Sequence, residues 1–337
     1  MNFISKKISL VIALGLVFST MATANIGNAG TNNLFAGIDP GFETAAEGSI
    51  PASWNNILSI SDTQKHSGKK SGFIYVDPTN KTGLNSDLGL NAGVNNNTSY
   101  RLSAWVKPVA SKVNFSFGFK MYNKQFQVEL TEASSQWVFL SYDFTTSTGA
   151  GAETPLFYLN TKSSVYIDDI ALIPYTPTAP NAPTITTTIT DRSTSVSGTG
   201  VKDSLIKVKL NGSDVAIAFC SVVTGKWKAT IPKQKIGNVF EITCTRSGLS
   251  STKVKVIVKP TSPSIAKFTS KSKILSGTTY PSTKVYLKVN TKSYTVKSDS
   301  TGKYKLILKS TIKKGKTISA YVKYSGQTSA KKIIKVS

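Results

Sequence analysis

The amino-acid sequence predicts an all-β protein. Thr, Ser, Val, Ile, Tyr and Phe are abundant, and no long segment repeats its apolar residues with the 3.6-residue period of a helix. Short runs instead alternate apolar and polar residues, and clusters of Gly, Asn and Ser separate them, which is typical of antiparallel strands. The chain has 337 residues, which is enough for two or three such domains.

The first 24 residues have the features of an export signal. Lys6 and Lys7 precede an apolar run at 8–18, and the small residues Ala22 and Ala24 follow as a cleavage site. A buried N-terminal helix is the alternative. No later run is long and apolar enough to span a bilayer, and the last residues lack a wall-sorting pattern. We expect a secreted, extracellular protein without a membrane span, free or held non-covalently at the cell wall.

Positive charge is concentrated in the second half of the chain, whose overall net charge is +24. Residues 1–180 carry 12 basic and 12 acidic side chains, residues 181–260 carry 12 and 4, and residues 261–337 carry 17 and 1. A surplus this one-sided predicts association with polyanions. The neutral and basic parts are therefore expected to meet different partners.

Two proline-containing breaks divide the chain. The segment 175–183 is rich in Pro and Thr and is typical of an extended linker, and a second break lies at 259–263. The segments 184–260 and 261–337 repeat short motifs in the same order: SGT at 197 and 276, TGKW at 224 and TGKY at 301, and SG at 247 and 325. They are interpreted as two copies of one β-domain.

These repeated motifs resemble those of bacterial immunoglobulin-like (Ig-like) modules. The first copy keeps SGTG at 197–200, NG at 211–212 and GKW at 225–227, and the second keeps SGT, Asp299 and GKY. The resemblance implies two Ig-like β-sandwiches. It does not imply a function, because such modules space, display or bind in different proteins.

Both cysteines, Cys220 and Cys244, fall in the first copy. Two Cys in one small exported domain suggest a disulfide. Strand alternation argues against it, because an inward Ile217 and Phe219 would turn Cys220 outward, whereas Cys244 follows the apolar face of its strand. Whether Cys220 and Cys244 form a disulfide is therefore undecided by the sequence.

The segment 33–174 contains a series of short strands and six motifs in a fixed order. The motifs are DPGFE at 39–43, IPASW at 50–54, HSGKKS at 66–71, YRLSAWVK at 100–107, QW at 136–137 and YIDDIAL at 166–172. Together they resemble carbohydrate-binding modules of the family 4/9/22 type. The resemblance implies a jelly-roll β-sandwich that binds a polysaccharide or other glycan.

The same resemblance implies a structural Ca²⁺ at one end of the sandwich. Glu43 and Asp168, or its neighbour Asp169, occupy the matching acidic positions, with main-chain carbonyls near 66–70 completing an oxygen shell. The alternative is that the two aspartates are an ordinary solvated pair. His66, the single histidine, is interpreted as a turn residue.

The residues predicted to contact sugar follow from strand alternation. Arg101, Ser103 and Trp105 share one face of their strand, opposite an apolar set, and Lys120 and Tyr122 take the corresponding positions opposite Phe115, Phe117 and Phe119. If the apolar sets are core, these five candidates line the groove of the module. The alternative is that Trp105, Trp54 and Trp137 are all framework.

Catalysis has little support in the sequence. With one His and no His/Cys metal cluster or phosphate-binding glycine loop, the remaining option is glycoside hydrolysis by two carboxylates, and nothing pairs Glu129 and Glu132 across a cleft. We predict no catalytic residues and no enzyme activity.

The basic segment 184–337 is predicted to hold the protein on an anionic wall or matrix polymer such as teichoic acid, with no specific recognition of nucleic acid. A solvated, edge-protecting Lys face is the alternative. Three functions therefore remain, in this order: a secreted carbohydrate-binding protein, a surface adhesin or structural protein without sugar binding, and a secreted polysaccharide-acting enzyme.

Overall fold

The computed structural model describes residues 33–35, 37, 39–49, 54, 57–79, 82–88, 93–110, 113–121, 124–148 and 156–337. The predicted export signal lies outside these residues. Among the residues described, no helix is of the length and apolarity needed to cross a membrane. The described secondary structure is dominated by strands, which confirms the all-β prediction.

In the described part of the N-terminal sandwich, nine strands are present. They are β1 (Ser59–Ser61), β2 (Ser71–Ile74), β3 (Leu84–Leu88), β4 (Ser99–Pro108), β5 (Phe115–Met121), β6 (Lys124–Leu130), β7 (Val138–Thr145), β8 (Leu156–Thr161) and β9 (Val165–Pro174). One sheet has the order β1-β2-β9-β4-β7 and the other has the order β3-β8-β5-β6. All pairs are antiparallel, as in a jelly roll.

The core of the sandwich follows from alternation along its strands. On β4, Tyr100, Leu102, Ala104 and Val106 are buried in the core, while Arg101 and Trp105 between them are only partly covered. Phe115 and Phe117 of β5 come from the other sheet and join the same apolar cluster. The large side chains of both inner faces therefore meet between the sheets.

Two smaller β-modules follow, each with its own core. The first basic module (184–260) contains β10 (Thr184–Ile185), β11 (Ser195–Thr199), β12 (Leu205–Leu210), β13 (Ser213–Phe219), β14 (Lys226–Thr230), β15 (Val239–Arg246), β16 (Leu249–Ser250) and β17 (Val254–Ile257). The second basic module (261–337) contains β18 (Ile274–Thr278), β19 (Lys284–Val289), β20 (Lys292–Lys297), β21 (Lys303–Ile307), β22 (Thr317–Tyr324), β23 (Gln327–Thr328) and β24 (Lys332–Lys335).

The two basic modules share one strand pairing scheme. In the first, β11 pairs with β14, and β12 lies between β13 and β15; in the second, β18 pairs with β21, and β19 lies between β20 and β22. The Gly of the repeated SGT motif is at a close backbone approach in both. A Cβ at Gly198 would lie 1.8 Å from the Thr184 carbonyl oxygen, and one at Gly277 would lie 2.1 Å from that of Ser264. The repeated motif therefore serves the fold.

Polar contacts join each module to the next. Glu132 of the sandwich accepts hydrogen bonds from the Ser221 hydroxyl and the Val222 amide of the first basic module. Arg246 donates to the Ser141 hydroxyl over 2.6 Å. Farther along the chain, Tyr280 of the second basic module donates to Asp191 of the first over 2.7 Å.

Candidate functional site

The described residues among the five predicted sugar contacts belong to two different sheets. Arg101, Ser103 and Trp105 lie on β4 of the five-stranded sheet, whereas Lys120 lies on β5 of the four-stranded sheet. Tyr122 falls outside the described residues. The alternation along β4 is as predicted, but the strand that contains Lys120 belongs to a different sheet. Lys120 therefore does not share a sheet with Arg101, Ser103 and Trp105, and sugar contact by any of the five remains a prediction.

Trp105 is part of a ring cluster on the outer face of the five-stranded sheet. The imidazole of His66 stacks on the Trp105 indole at a centroid distance of 3.8 Å. The ring centroid of Phe139 lies 5.2 Å from that of Trp105. Trp137 contacts His66 edge-on at 5.9 Å. His66 covers one face of the Trp105 ring, which favours the framework alternative for Trp105.

Arg101 and Ser103 are also engaged in structure. The Arg101 guanidinium makes two hydrogen bonds to Asp143, of 2.6 and 2.9 Å, and lies 3.7 Å from the centroid of the Tyr175 ring. Burial alone would raise the pKa of Asp143, but hydrogen bonds from Arg101 and Ser247 hold that pKa below its usual range. Ser103 is buried, at 1 % exposure. This end of the sheet faces the first basic module.

A different surface, on the four-stranded sheet, gathers polar side chains in two rows; it is called the polar face below. Strand pairing aligns Asn85, Asn160, Ser116 and Glu129 in one row, and Tyr158, Gly118 and Gln127 in the next. Gln127 donates to Glu129 over 2.6 Å. Phe115, Phe117, Phe157 and Leu159 point to the opposite, inner side.

The polar face offers mixed hydrogen-bonding chemistry on a rigid support. Carboxamides both donate and accept, a carboxylate only accepts, and hydroxyls do either. Glu129 and Asn85 are exposed and Gln127 and Asn160 are half-buried, whereas Tyr158 is 6 % exposed and belongs to the floor. Because Gly118 has no side chain, nothing from β5 stands between Tyr158 and Gln127 in their row. This arrangement can hydrogen-bond a polyhydroxylated ligand.

Sequence reasoning missed most of this surface because it did not recognise β8. The sequence LFYLNT at 156–161 alternates Phe157 and Leu159 inward with Tyr158 and Asn160 outward. That alternation was available as a signal. Gln127 was not singled out, and Glu129 was considered only as a catalytic acid.

The three predicted calcium ligands surround the loop 66–70. Glu43 accepts hydrogen bonds from the amides of Lys69 and Lys70 at 2.9–3.0 Å. Gly68 has a φ of 58°, and a Cβ there would lie 2.2 Å from a Glu43 carboxylate oxygen, so only Gly fits. The Asp169 carboxylate contacts His66 Nδ1 and accepts from the Ser67 hydroxyl, both at 2.7 Å.

Asp168 is fully buried beside Asp169. It accepts hydrogen bonds from the amides of His66, Ser67 and Asp169. Burial, reinforced by the negative charge of Asp169, nevertheless raises the pKa of Asp168 to about 7. A nearby cation would relieve this repulsion.

The oxygen chemistry of these side chains suits calcium, but their spacing does not bring all three to one point. All three side chains offer oxygen ligands. Gly41 leaves room beside two of them, since a Cβ there would lie 3.8 Å from Asp169 Oδ1 and 3.9 Å from Glu43 Cγ. In the part of the chain that the structure describes, no three His, Cys, Asp or Glu side chains converge closely enough to hold a metal. The ion remains a prediction.

The predicted orientation of Cys220 is wrong. Ile217 and Phe219 are 61 % and 71 % exposed, whereas Cys220 is buried together with Cys244. The pairing of β12 with β13 shifts by one residue between Val208 and Lys209, and this bulge turns Ala216, Ala218 and Cys220 inward. Both thiols are free in this structure. Their disulfide remains a prediction.

Two carboxylates considered for catalysis have other partners. Glu132 contacts Ser221 and Val222 across the module boundary, and Glu129 is bonded to Gln127 on the polar face. The position of Glu132 supports a role in the contact between the modules. The position of Glu129 supports a role in ligand binding by the polar face.

Comparison with known proteins identifies the N-terminal segment. Residues 40–166 match the family model described as "Carbohydrate binding domain", which confirms the resemblance predicted for this segment. The match ends before the basic modules, whose resemblance to Ig-like domains remains a prediction. A search of curated proteins finds no match.

Several solved structures are similar to part of the chain. "Family 16 Carbohydrate Binding Module-2" is 24 % identical, with 36 % of this chain and 88 % of that chain covered and a TM-score of 0.27. The CBM22-1 xylan-binding domain of Paenibacillus barcinonensis Xyn10C is 17 % identical, with 36 % and 82 % covered and a TM-score of 0.28. TmCBM61 in complex with β-1,4-galactotriose is 17 % identical, with 40 % and 95 % covered and a TM-score of 0.28.

Proposed function

We propose that this chain is a secreted, non-catalytic carbohydrate-binding protein whose sandwich binds a polysaccharide through the polar face. The observation that carries the proposal is the alignment of Asn160, Gln127 and Glu129 on one outer surface, within the segment that matches a carbohydrate-binding family. The basic modules hold the protein on anionic wall or matrix polymer.

Hydrogen bonding rather than charge dominates the proposed sugar contact. A single hydrogen bond contributes about 0.5–1.5 kcal/mol net, so useful affinity requires several at once. Two rows of polar groups on neighbouring strands can provide them along an extended chain. Because the groups stand on a sheet, little ordering entropy is lost on binding.

Retention on anionic polymer is supported by unpaired charge. In the first basic module, Glu241 pairs with Lys253 and Lys255, and Asp214 pairs with Lys209. Among the described residues, the lysines of 261–337 make no ion pair, and their segment contains only Asp299 as an acid. Asp299 is itself bound to Thr301 and the Lys303 amide.

Salt separates the two proposed activities. The full chain should stay bound to a neutral insoluble polysaccharide at high salt, because hydrogen bonding is little screened. Its retention on cell walls should need an anionic wall or matrix polymer, of which teichoic acid is one example, and should be lost in moderate salt, since the Debye length is about 8 Å at physiological ionic strength. Wall retention without any binding to neutral polysaccharide would support an adhesin, and salt-resistant wall retention would contradict the charge model.

A further inference from the structure

The second basic module presents a row of like charges on one sheet face. Lys284 of β19 stands directly opposite Lys297 of β20. On its other side, the β19–β22 register that pairs Val285 with Val322 places Lys323 next to it when continued by one residue. All three lysines are exposed. Neighbouring strands are about 4.8 Å apart, so three ammonium groups are concentrated on one small area.

This row costs stability and is not needed for the fold. Like charges directly opposite each other on neighbouring strands destabilise a sheet. In the first basic module, the positions of Lys284, Lys297 and Lys323 are occupied by uncharged residues. These are Leu205, Phe219 and Thr245, respectively, and they are paired in the same way. Since the same scheme forms there without charge, the three lysines point to an anionic ligand.

A row of aromatic side chains lies beside the lysines. Tyr286 and Tyr321 are cross-strand partners, stacked with centroids 4.9 Å apart and planes 11° apart. The Lys323 ammonium lies 5.6 Å from the centroid of the Tyr286 ring. Ile333, 60 % exposed, lies next to Ser319 on the same face. These residues form a lysine–tyrosine face with both charged and apolar contacts.

We propose that the lysine–tyrosine face binds an acidic polysaccharide that carries carboxylates on its sugar rings. This inference rests on the proposed attachment to anionic polymer and names the site and ligand class. Carboxylates would lie against the lysine row, and the apolar faces of the sugars against the exposed Ile333 and against the parts of Tyr286 and Tyr321 that remain accessible beside their stack.

Two other polyanions fit the face less well. Single-stranded nucleic acid is bound by aromatic rings on which bases stack. Here the two tyrosine rings stack on each other, and Lys323 lies over one of them. A polyol phosphate has no ring face to occupy the apolar part of the surface.

The test compares binding of the full chain to immobilised polygalacturonate, single-stranded oligodeoxythymidine and polyglycerol phosphate. One variant combines Lys284→Gln, Lys297→Gln and Lys323→Gln. A control with the same loss of charge combines Lys313→Gln, Lys314→Gln and Lys316→Gln in the exposed β21–β22 connection. At low salt, the row variant should bind polygalacturonate about tenfold more weakly or worse, and the control less than about threefold.

A further variant and a stability measurement test the remaining steps. Tyr286→Leu should weaken binding to polygalacturonate but not to polyglycerol phosphate. The row variant should melt no lower than the unmodified chain, because repulsion is relieved, so weaker binding cannot be attributed to unfolding.

Each contrary result overturns a defined part of the account. If the row and control variants weaken binding to polygalacturonate equally, the positive charge of the module as a whole, and not this site, accounts for the binding. The proposed retention on anionic polymer would then still hold. Stronger binding to the oligonucleotide or to polyglycerol phosphate than to polygalacturonate would overturn the ligand class. An unmodified chain that binds none of the three would contradict both proposals.

Discussion

The imidazole of His66 lies parallel to the indole of Trp105, with ring centroids 3.8 Å apart and an interplanar angle of 13°. Asp169 holds the imidazole through Nδ1 at 2.7 Å, so the stack connects the 66–70 loop to the middle of β4. A tryptophan in such a stack is restrained by its neighbours. Its contribution should therefore be to stability rather than to ligand binding.

Trp105→Ala should lower the free energy of unfolding by about 2 kcal/mol, because a half-buried aromatic contact is lost. Binding to neutral polysaccharide should remain unchanged. Chemical denaturation together with a binding isotherm checks both expectations, and His66→Ala should show a smaller loss of the same kind. Loss of polysaccharide binding with an unchanged denaturation midpoint would contradict this expectation and would indicate that Trp105 contacts the sugar.

The local patterns of the sequence were sufficient for much of the fold, but not for strand pairing. Alternation placed Leu102 and Val106 inside and Trp105 outside, as observed. Which strands become neighbours depends on contacts distant in sequence, such as the pairing of Trp105 with Phe139. Trp105 and Lys120 were therefore assigned to one groove although they stand on opposite sheets.

Irregular strand pairing was the second reason why the sequence did not predict the whole fold. In β13 the apolar residues Ile217 and Phe219 suggested an inward face, yet Ala216 and Ala218 pack there against Ile206 and Val208. One inserted residue reverses all side chains that follow it. Nothing in the local sequence marks that bulge.

Asp203 should make stability pH-dependent. Burial, opposed by Arg246 and reinforced by Asp143, raises the pKa of Asp203 to about 6 from 3.8. The folded state thus holds this proton more tightly than the unfolded state, and the stability contribution present below pH 3.8 is lost as the pH rises to about 6.

Asp203→Asn keeps a neutral side chain at every pH and suits the φ of 57° at this position. It should stabilise the chain by about 1 kcal/mol at pH 7, with the difference disappearing towards pH 4. Denaturation midpoints measured across this range check the expectation. A difference that is independent of pH would contradict it.

Calcium should stabilise the sandwich. An ion near Glu43 and Asp169 would offset the burial and the repulsion by Asp169 that together raise the pKa of Asp168. At a hundredfold excess over its Kd, such an ion adds about 2.7 kcal/mol. The melting temperature should rise with Ca²⁺, return with a chelator, and rise less in Glu43→Gln. Identical melting temperatures in chelator and in Ca²⁺ would contradict calcium binding by Glu43, Asp168 and Asp169.

Cys220 and Cys244 should form a disulfide under oxidising conditions. Both sulfurs lie close to Gly200, since a Cβ there would lie 2.8 Å from Cys220 Sγ and 3.8 Å from Cys244 Sγ. The bridge would close a loop of moderate length and stabilise the module by about 3 kcal/mol. Alkylation in denaturant followed by mass spectrometry should find no free thiol after oxidation. Two alkylated cysteines would contradict the prediction.

The most direct test of sugar binding by the polar face is a high-salt pull-down on a neutral polysaccharide that retains the unmodified chain. Gln127→Ala with Glu129→Ala should reduce binding about tenfold without lowering the melting temperature, because both side chains are at least partly exposed. Asp62→Ala with Gln64→Ala is the matched control, beside the other sheet, and should bind normally. Full binding by the first pair, or an equal loss in the control, would contradict the assignment of the site.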